Sequence, residues 1–341
     1  MTVSVKKKRI VCFGEPILRV SAPGAELLLQ SNRFETAFGG AEMNVAVSLS
    51  RLGDEAAVVA VLPDNRLGQA FRDEFRRHGV DVSHVHFGEG RLALYYVNPG
   101  ALVRPAEVLY DRAGSAFALA SGDQIDWEAA LADADWLHLS GITPAVGEGP
   151  ARSALRAVEV AAANGVKISF DGNYRPKLWE TAPAGTFQAL RRLFESANLL
   201  IANHRDVELV LGLNFSKAED AFASACAAAF DAFPRLERVT CTERYQHNVD
   251  HHDLSARLAT RTASYASKRY SLPHVVDRIG GGDAFSAGIL HALANGRSDE
   301  DTLAFGLAAA VIKHSFAGDF NLADEQTVLS VLADDGFQVR R

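Results

Sequence analysis

The 341-residue sequence has few of the features that mark extracellular and membrane proteins. It contains only 3 cysteines, Cys12, Cys226 and Cys241, and an odd number of widely spaced cysteines gives no complete disulfide framework. No apolar run approaches the roughly 20 residues of a membrane-spanning helix, and the run at 10–13 is too short for a signal-peptide core. We therefore expect buried, reduced thiols, a cytoplasmic location and no membrane partner.

An excess of positive charge is also missing. The formal net charge is -7, which argues against nonspecific binding of nucleic acid. An acidic chain can still bind an anion where cations or helix N-termini gather locally. Because 48% of the residues are hydrophobic and 23% are charged, the composition is that of a globular protein with a large core.

Three familiar nucleotide or nucleophile motifs are absent or misplaced. There is no GxxxxGK[ST] sequence, which excludes a P-loop protein. There is no GxGxxG fingerprint either, since the next glycine after Gly280 and Gly282 is Gly288. The sequence AFSAG resembles the nucleophile elbow of hydrolases, but its Ser286 falls inside a predicted helix rather than at a turn. A packed helical serine is the better interpretation.

Short apolar runs alternate with helical patterns along most of the chain. This alternation predicts an α/β fold with a doubly wound, mostly parallel sheet flanked by helices. Two segments, about 15–38 and 90–113, lack helical periodicity and are predicted to form a small β lid inserted into a single domain, 1–341. Predicted strands cover 9–14, 56–63, 134–141, 166–173, 198–204 and 238–243, and predicted helices cover 41–53, 65–79, 151–165, 186–197 and 217–230.

Polar residues collect where four predicted strands end. They occupy 171–175, 203–206, 242–244 and the stretch from Asp277 onward, which follows an apolar run at 274–276. Ligands of open α/β sheets bind beyond the carboxyl ends of the strands. A single polar turn would mean little, but four of them favour a binding site.

Three consecutive glycines, Gly280 to Gly282, stand before Asp283 and a predicted helix. The first N–H groups of a helix have no intrahelical partner and lie at the positive end of its dipole, and glycines allow close approach to them. The junction therefore suits a phosphate, although an ordinary loop with Asp283 as N-cap is the structural alternative. Beside an anion hole, Asp283 would accept the proton of an attacking hydroxyl, as in a sugar or nucleoside kinase.

Two further stretches have functional and structural interpretations. Gly39 and Gly40 open the helix that bears Asn44, and they suit either close approach of substrate hydroxyls or a tight turn. The histidine-rich stretch 247–253 lies in a polar segment, 242–256, which lacks a strand or helix pattern. We interpret 247–253 as a solvated loop, with a metal site as the alternative.

The sequence resembles the ribokinase-like (PfkB) carbohydrate kinases. GGAEMNVAVSLSRLG at 39–53 and DRIGGGDAFSAG at 277–288 are similar to the two signature regions of that family, in the same order. Within the family it is most similar to 2-keto-3-deoxygluconate kinases, through FGEPILR, ALYYV, LYDRAGSA, SGITPA and FDGNYRPKLW. The resemblance implies a ribokinase-like central sheet with a β lid, ATP as phosphoryl donor and Mg²⁺.

The resemblance also implies roles for individual residues. Asp283 would be the catalytic base, within an anion hole formed by the N–H groups of Gly280, Gly281, Gly282 and Asp283. Asp206 would contact Mg²⁺ through water, where the family often has Asn-x-x-Glu, and Arg278 replaces the usual threonine. The residues expected to bind the sugar acid are Gly39, Gly40, Asn44, Tyr95, Tyr110, Arg112 and Arg175, and those expected to bind the nucleotide are Asn203, Thr242, Arg244, Gly280 and Gly282.

These expectations together predict ATP-dependent phosphorylation of 2-keto-3-deoxygluconate to its 6-phosphate. The substrate is a carboxylate, which Arg112 and Arg175 can clamp with charge-assisted bonds, although surface ion pairs are their structural alternative. The alternatives are a kinase for fructose, a kinase for the galacto epimer, or a non-catalytic sugar-acid sensor. Exposed lid strands would also offer an edge for homo-oligomer formation.

Overall fold

The computed structural model describes residues 7–333 except 181 and 184. Its strands are β1 (Arg9–Phe13), β2 (Ile17–Ser21), β3 (Glu35–Gly39), β4 (Glu55–Pro63), β5 (Asp81–Gly88), β6 (Ala93–Asn98), β7 (Glu107–Asp111), β8 (Trp136–Ser140), β9 (Lys167–Asp171), β10 (Leu199–Ile201), β11 (Arg238–Gln246), β12 (His252–Thr260), β13 (Ser264–Ala266) and β14 (Tyr270–Leu272). Its helices are α1 (Ala41–Leu52), α2 (Arg66–Arg77), α3 (Ala116–Leu119), α4 (Trp127–Leu131), α5 (Ile142–Val146), α6 (Glu148–Ala163), α7 (Pro176–Glu180), α8 (Thr186–Ser196), α9 (His204–Leu211), α10 (Ala221–Ala232), α11 (Gly281–Ala294), α12 (Asp299–Lys313) and α13 (Glu325–Leu332).

The main sheet has the strand order β13-β12-β11-β10-β9-β8-β1-β4-β5, and β14 also pairs with β12. All pairs from β11 to β5 are parallel, whereas β12 is antiparallel to its neighbours. The chain builds the sheet outward from β1 in one direction through β4 and β5 and in the other through β8 to β11. The predicted α/β fold with a mostly parallel, doubly wound sheet is therefore confirmed.

Side chains from the parallel strands fill apolar layers on both faces of the main sheet. Along β1, Val11 and Phe13 join one buried cluster, whereas Ile10 and Cys12 join another. Eight of the nine residues of β4 are buried, as expected for a parallel strand covered on both faces. Helices shield these layers, and no helix in the described part of the chain combines the length and apolarity needed to cross a bilayer.

A second, four-stranded sheet has the order β3-β2-β6-β7. Its strands come from the two segments that lacked helical periodicity, with β3 extending to Gly39. Side chains tie it to the main body: Arg19 Nη2 lies 2.8 Å from Asp277 Oδ2, and the Tyr95 hydroxyl donates to Asp319 Oδ2 at 2.6 Å. The small β layer is thus present, and buried polar contacts fix its position.

Two local predictions are wrong. The segment 274–276 is not a strand, because Val275 N donates to Asp250 O while Val276 N donates to His314 O, so the segment joins no continuous ladder. The polar segment 242–256 is not a loop but the end of the β11–β12 hairpin, in which Gln246 pairs with His252. Because the outer half of β11 is exposed, its sequence lacks the apolar alternation that marks a strand.

Candidate active site

A cavity of about 600 Å³ lies at the carboxyl ends of the parallel strands, with the second sheet as one wall. The sequence-predicted residues that line it are Gly40, Asn44, Tyr95, Tyr110, Arg112, Arg175, Asn203, Asp206, Thr242, Arg244, Gly280, Gly281, Gly282 and Asp283. Gly39 does not line it, because its backbone packs against a carboxylate: a Cβ added there would lie 2.1 Å from Asp319 Oδ2. Segments separated by more than 200 residues therefore meet in one place.

The glycine run forms the N-terminus of α11. Gly280 is the N-cap, with φ of 80°, and an added Cβ would lie 2.0 Å from the Asp319 carbonyl oxygen. Both its backbone conformation and its surroundings therefore require glycine. A Cβ added to Gly282 would have no heavy atom within 4 Å, and no side chain caps the helix. The N-terminus is thus open toward the cavity, as anion binding requires.

Asp283 lies in the first turn of α11 and is not its N-cap, so the structural alternative for this residue is wrong. Its Oδ2 accepts a hydrogen bond from Asn44 Nδ2 at 2.6 Å. Burial raises the pKa of Asp283 to about 6, against the lowering effect of that hydrogen bond. At neutral pH the carboxylate is still ionised, yet it is a stronger base than an exposed aspartate.

Two further carboxylates share the cavity with Asp283. Asp171 ends β9, and burial followed by repulsion from Asp283 and Asp206 raises its pKa well above the usual range. Burial raises the pKa of Asp206 to about 6, although its oxygens accept hydrogen bonds from Asn203 N at 2.8 Å and Tyr174 N at 3.1 Å. Asp206 thus has a structural role in the capping box of α9. Clustered carboxylates of raised pKa would be stabilised by a bound cation.

An aromatic and cationic wall faces these carboxylates from the second sheet. The rings of Tyr95 and Tyr110 stack with centroids 5.8 Å apart, and the Arg112 guanidinium carbon lies 4.9 Å from the Tyr110 centroid. Arg112 also forms an ion pair with buried Glu15, which accepts from the Ser115 hydroxyl at 2.6 Å. Arg112 is therefore held in place but is already paired with a carboxylate.

A buried network of charged residues, which sequence patterns did not reveal, packs against the glycine run. Its members include Arg19, Lys313 and Asp319. Asp319 accepts from Tyr95, and its Oδ1 lies 3.2 Å from Arg19 Nε. Burial raises the pKa of Asp319 to about 6, while the neighbouring Arg19 opposes the shift. Lys313 is fully buried, its Nζ donates to Phe316 O at 3.1 Å, and burial lowers its pKa. Gly280 packs directly on this network, since a Cβ added there would lie 3.2 Å from Lys313 Cε.

Arg244 and Arg278 also line the cavity, as does Thr242. Burial, followed by repulsion from Arg278, lowers the pKa of Arg244. In the described part of the chain neither arginine forms an ion pair with a carboxylate. Two close cations without an acidic partner suit a multiply charged anion, such as a polyphosphate. Arg278 was not predicted as a site residue.

Comparison with known proteins identifies the family. The model of the pfkB family of carbohydrate kinases matches residues 7–233 and 256–322. The chain belongs to this family. It is 34% identical to the 2-dehydro-3-deoxygalactonokinase of Haloferax volcanii over 323 residues, which are 95% of this chain and 96% of that protein. It is 27% identical to the 2-dehydro-3-deoxygluconokinase of Escherichia coli K12 over 317 residues, 90% of this chain and 96% of that one.

Solved structures agree with the family assignment and with the ribokinase-like fold. The crystal structure of 2-dehydro-3-deoxygluconokinase from Thermotoga maritima is similar with a TM-score of 0.89 and 32% identity, covering 96% of this chain and 99% of that one. An Escherichia coli ribokinase II structure in complex with ATP and Mg²⁺ has a TM-score of 0.81 at 16% identity and covers 96% and 100%, which supports the fold alone. The resemblance to PfkB kinases is therefore confirmed.

The serine of AFSAG does not lie where a hydrolase nucleophile would. In this PfkB kinase Ser286 is fully buried within α11, where its hydroxyl donates to Gly282 O at 3.1 Å. Its position inside a helix, rather than at the tip of a strand-to-helix turn, rules out a nucleophile elbow. The polar groups that do line the cavity are the glycine N-terminus, the carboxylates and the arginines.

Proposed function

We propose that the protein transfers the γ-phosphoryl group of ATP to the terminal hydroxyl of 2-keto-3-deoxygluconate, giving the 6-phosphate. The observation that carries the proposal is the position of Asp283 beside the open N-terminus of α11, within a cavity that also contains Arg175. The names of relatives in Escherichia coli and Thermotoga maritima support the same substrate.

In this mechanism Asp283 accepts the proton of the sugar hydroxyl as its oxygen forms a bond to the γ-phosphorus. The bond from that phosphorus to the β-bridging oxygen breaks, and ADP leaves. Asn44 orients the Asp283 carboxylate, and the N–H groups of Gly281, Gly282 and Asp283 stabilise the negative charge on the transferring group.

The residues of the cavity fit ATP and Mg²⁺. Asp171 and Asp206 are buried carboxylates whose pKa values are raised chiefly by that burial, and oxygen ligands are those that Mg²⁺ prefers. When bound, Mg²⁺ supplies charge neutralisation to the phosphates. We assign nucleotide binding to Thr242, Arg244 and Arg278, which line the cavity, and to Asn203, which lines it as the N-cap of α9.

The preference for a sugar acid is assigned to Arg175, with Arg112 in support. Arg175 is exposed and lines the cavity, and its positive charge opposes the rise that burial causes in the pKa values of Asp171, Asp206 and Asp283. A guanidinium can bind a substrate carboxylate with two parallel hydrogen bonds, which a lysine ammonium does not reproduce. Arg112 contributes less because Glu15 already occupies it.

A second candidate substrate is the galacto epimer, 2-keto-3-deoxygalactonate. It is favoured by the 34% identity to the Haloferax volcanii 2-dehydro-3-deoxygalactonokinase over nearly the whole of both chains. A neutral ketose has weaker support, since a probable fructokinase-3 of Arabidopsis thaliana is 28% identical over 305 residues. A non-catalytic sensor would not need the intact Asp283 and glycine run.

The experiment is a product assay with matched arginine variants. Purified protein with ATP, Mg²⁺ and 2-keto-3-deoxygluconate should give a phosphate ester at C6, identified by phosphorus–proton NMR. Arg175→Ala should raise KM for the acid by about 10- to 100-fold, equivalent to about 1.5–3 kcal/mol of lost charge-assisted bonding, and Arg175→Lys should restore only part of it. An unchanged KM in Arg175→Ala would refute the assignment, and absence of ATP consumption would favour the sensor.

The cellular setting and assembly are further proposals. Cys12, Cys226 and Cys241 are buried and unpaired, which is typical of a reducing compartment, so we place the enzyme in the cytoplasm. The outer strand β7 of the second sheet exposes Leu109, at 66%, and offers an edge to a second copy of the chain. Light scattering of wild type and Leu109→Arg would test this pairing.

A further inference from the structure

The histidine-rich stretch at the tip of the β11–β12 hairpin plays no part in the proposed kinase mechanism. His247, His251 and Asp253 each offer a ligand atom, and these atoms all lie within 4.8 Å of one another. They form the one such group of histidine, cysteine and acidic residues found in the part of the chain that the structure describes. We propose that this cluster is a binding site for a borderline transition metal ion such as Zn²⁺, separate from the catalytic cavity.

Hairpin register explains why these three side chains meet. His247 N donates to His251 O at 3.0 Å, and the next same-face pair along the ladder is Tyr245 with Asp253. Since side chains alternate across a strand, residues 247, 251 and 253 lie on one face. His252 points to the other face, where it is buried against His314 with ring centroids 5.0 Å apart. Two histidines and a carboxylate are thereby presented together from two paired strands.

The spacing of the ligand atoms suits a tetrahedral ion. His247 Nε2 lies 3.2 Å from Asp253 Oδ2, and the edge of a tetrahedron with zinc bonds of about 2.0–2.1 Å is about 3.3 Å. The rings of His247 and His251 have centroids 4.3 Å apart. His251 Nε2 is 3.3 Å from the Ser271 hydroxyl, a contact of the kind that orients a metal-bound imidazole through its second nitrogen.

The composition of the cluster selects the class of metal. Two imidazoles and one carboxylate suit zinc and neighbouring transition metals, whereas Mg²⁺ prefers oxygen ligands alone. Three protein ligands leave a fourth position for water. The Mg²⁺ that accompanies ATP would therefore not compete effectively for this site.

The proposed metal site is joined by the chain and by contacts to the residues proposed to bind the nucleotide. Val249, at the tip, packs on Gly100 in the loop between β6 and β7 of the second sheet, since a Cβ added to Gly100 would lie 2.6 Å from Val249 Cγ1. Asp250 O accepts a hydrogen bond at 2.9 Å from the backbone N of Val275, which lies two residues before Asp277. Arg244, which lines the cavity, is on β11, and that strand ends directly before His247. A metal bound across the β11–β12 hairpin would therefore fix its tip, which contacts both Gly100 and the segment that leads to Asp277.

The test is titration of tag-free protein with Co²⁺ as a spectroscopic probe, in the presence of millimolar Mg²⁺. We expect one Co²⁺ per chain with the intense visible bands of tetrahedral coordination, displaced by Zn²⁺. His251→Ala and Asp253→Asn should weaken binding by about tenfold or more, while His86→Ala, on β5 and outside the cluster, should not. The melting temperature should rise with Zn²⁺ in wild type and His86→Ala only.

Several outcomes would overturn the proposal. Absence of the tetrahedral bands, or bands of equal intensity and affinity in His251→Ala, would show that the cluster is not the site. Only the weak bands of octahedral Co²⁺ would indicate binding by the carboxylates of the catalytic cavity. Without added Co²⁺ or Zn²⁺, the Mg²⁺-dependent kinase turnover and the melting temperature of both hairpin variants should match those of wild type, which confirms that each is folded.

Discussion

Replacement of Asp283 by Asn removes the proposed base and preserves its shape. An amide oxygen at this position can still accept the hydrogen bond that Asn44 donates at 2.6 Å, so the cavity should keep its geometry. Loss of general-base catalysis typically costs a factor of about 10²–10⁴, which corresponds to about 3–5 kcal/mol of activation free energy. We therefore expect kcat to fall by that factor while KM for the sugar acid changes by less than about threefold.

The same substitution should stabilise the fold. Burial raises the pKa of Asp283 from 3.8 to about 6, so its ionised form is less favourable in the folded than in the unfolded chain. This destabilisation begins as the pH rises through the pKa that Asp283 has in the unfolded chain, and it is complete above the pKa that it has in the folded chain. At neutral pH the shift corresponds to an order of 3 kcal/mol, so Asp283→Asn should raise the free energy of unfolding by up to that amount.

The assay couples ADP release to NADH oxidation, with urea unfolding on the same preparations. Asp231→Asn, at an exposed position in α10, is the matched control and should change neither quantity. Turnover within a few-fold of wild type would show that Asp283 is not the base. A loss of turnover together with a loss of stability would instead indicate a damaged fold. It would contradict the prediction that kcat falls while the free energy of unfolding rises.

Three further predictions concern pH, the buried network and the nucleotide. Because burial raises the pKa values of Asp283 and Asp206 to about 6, kcat/KM should be constant near neutral pH and fall as pH drops through about 6; a profile flat to well below that value would contradict this. Lys313→Met should lower the free energy of unfolding by about 3–5 kcal/mol in urea titrations, because Asp319 and Asp277 lose a buried cation, and unchanged stability would refute the network. Arg278→Ala should raise KM for ATP by about tenfold and leave KM for the sugar acid unchanged. A rise in KM for the sugar acid alone would contradict the assignment of Arg278 to the nucleotide.

Local sequence patterns were sufficient for the elements that bury apolar side chains. The parallel strands are short apolar runs and the helices between them have helical periodicity. The three consecutive glycines likewise indicate the positive φ that Gly280 adopts. The end of α1 also carries a local signal, since Gly53 ends it with φ of 103° as predicted, whereas α10 begins at Ala221 after its cap Asp220 and not at residue 217. These features depend on near neighbours, which is why a single sequence reveals them.

Features that depend on distant partners could not be predicted. Asp319 lies in an irregular segment after α12, and its contacts with Tyr95 and Arg19 join residues more than 200 positions apart. The pairing of Arg112 with Glu15 likewise requires the second sheet to be in place. The outer half of β11 is exposed, so cross-strand hydrogen bonds to β12 define it rather than apolar alternation.

The central claim is that this kinase phosphorylates a keto sugar acid, and the most direct measurement is kcat/KM across a matched substrate panel. The panel consists of 2-keto-3-deoxygluconate, 2-keto-3-deoxygalactonate and fructose, with ATP and Mg²⁺ at saturation. A charge-assisted bond to Arg175 predicts that at least one acid exceeds fructose by about 10²-fold or more, and that Arg175→Ala removes most of this difference. Equal or better turnover of fructose, with no loss of preference in Arg175→Ala, would contradict the account.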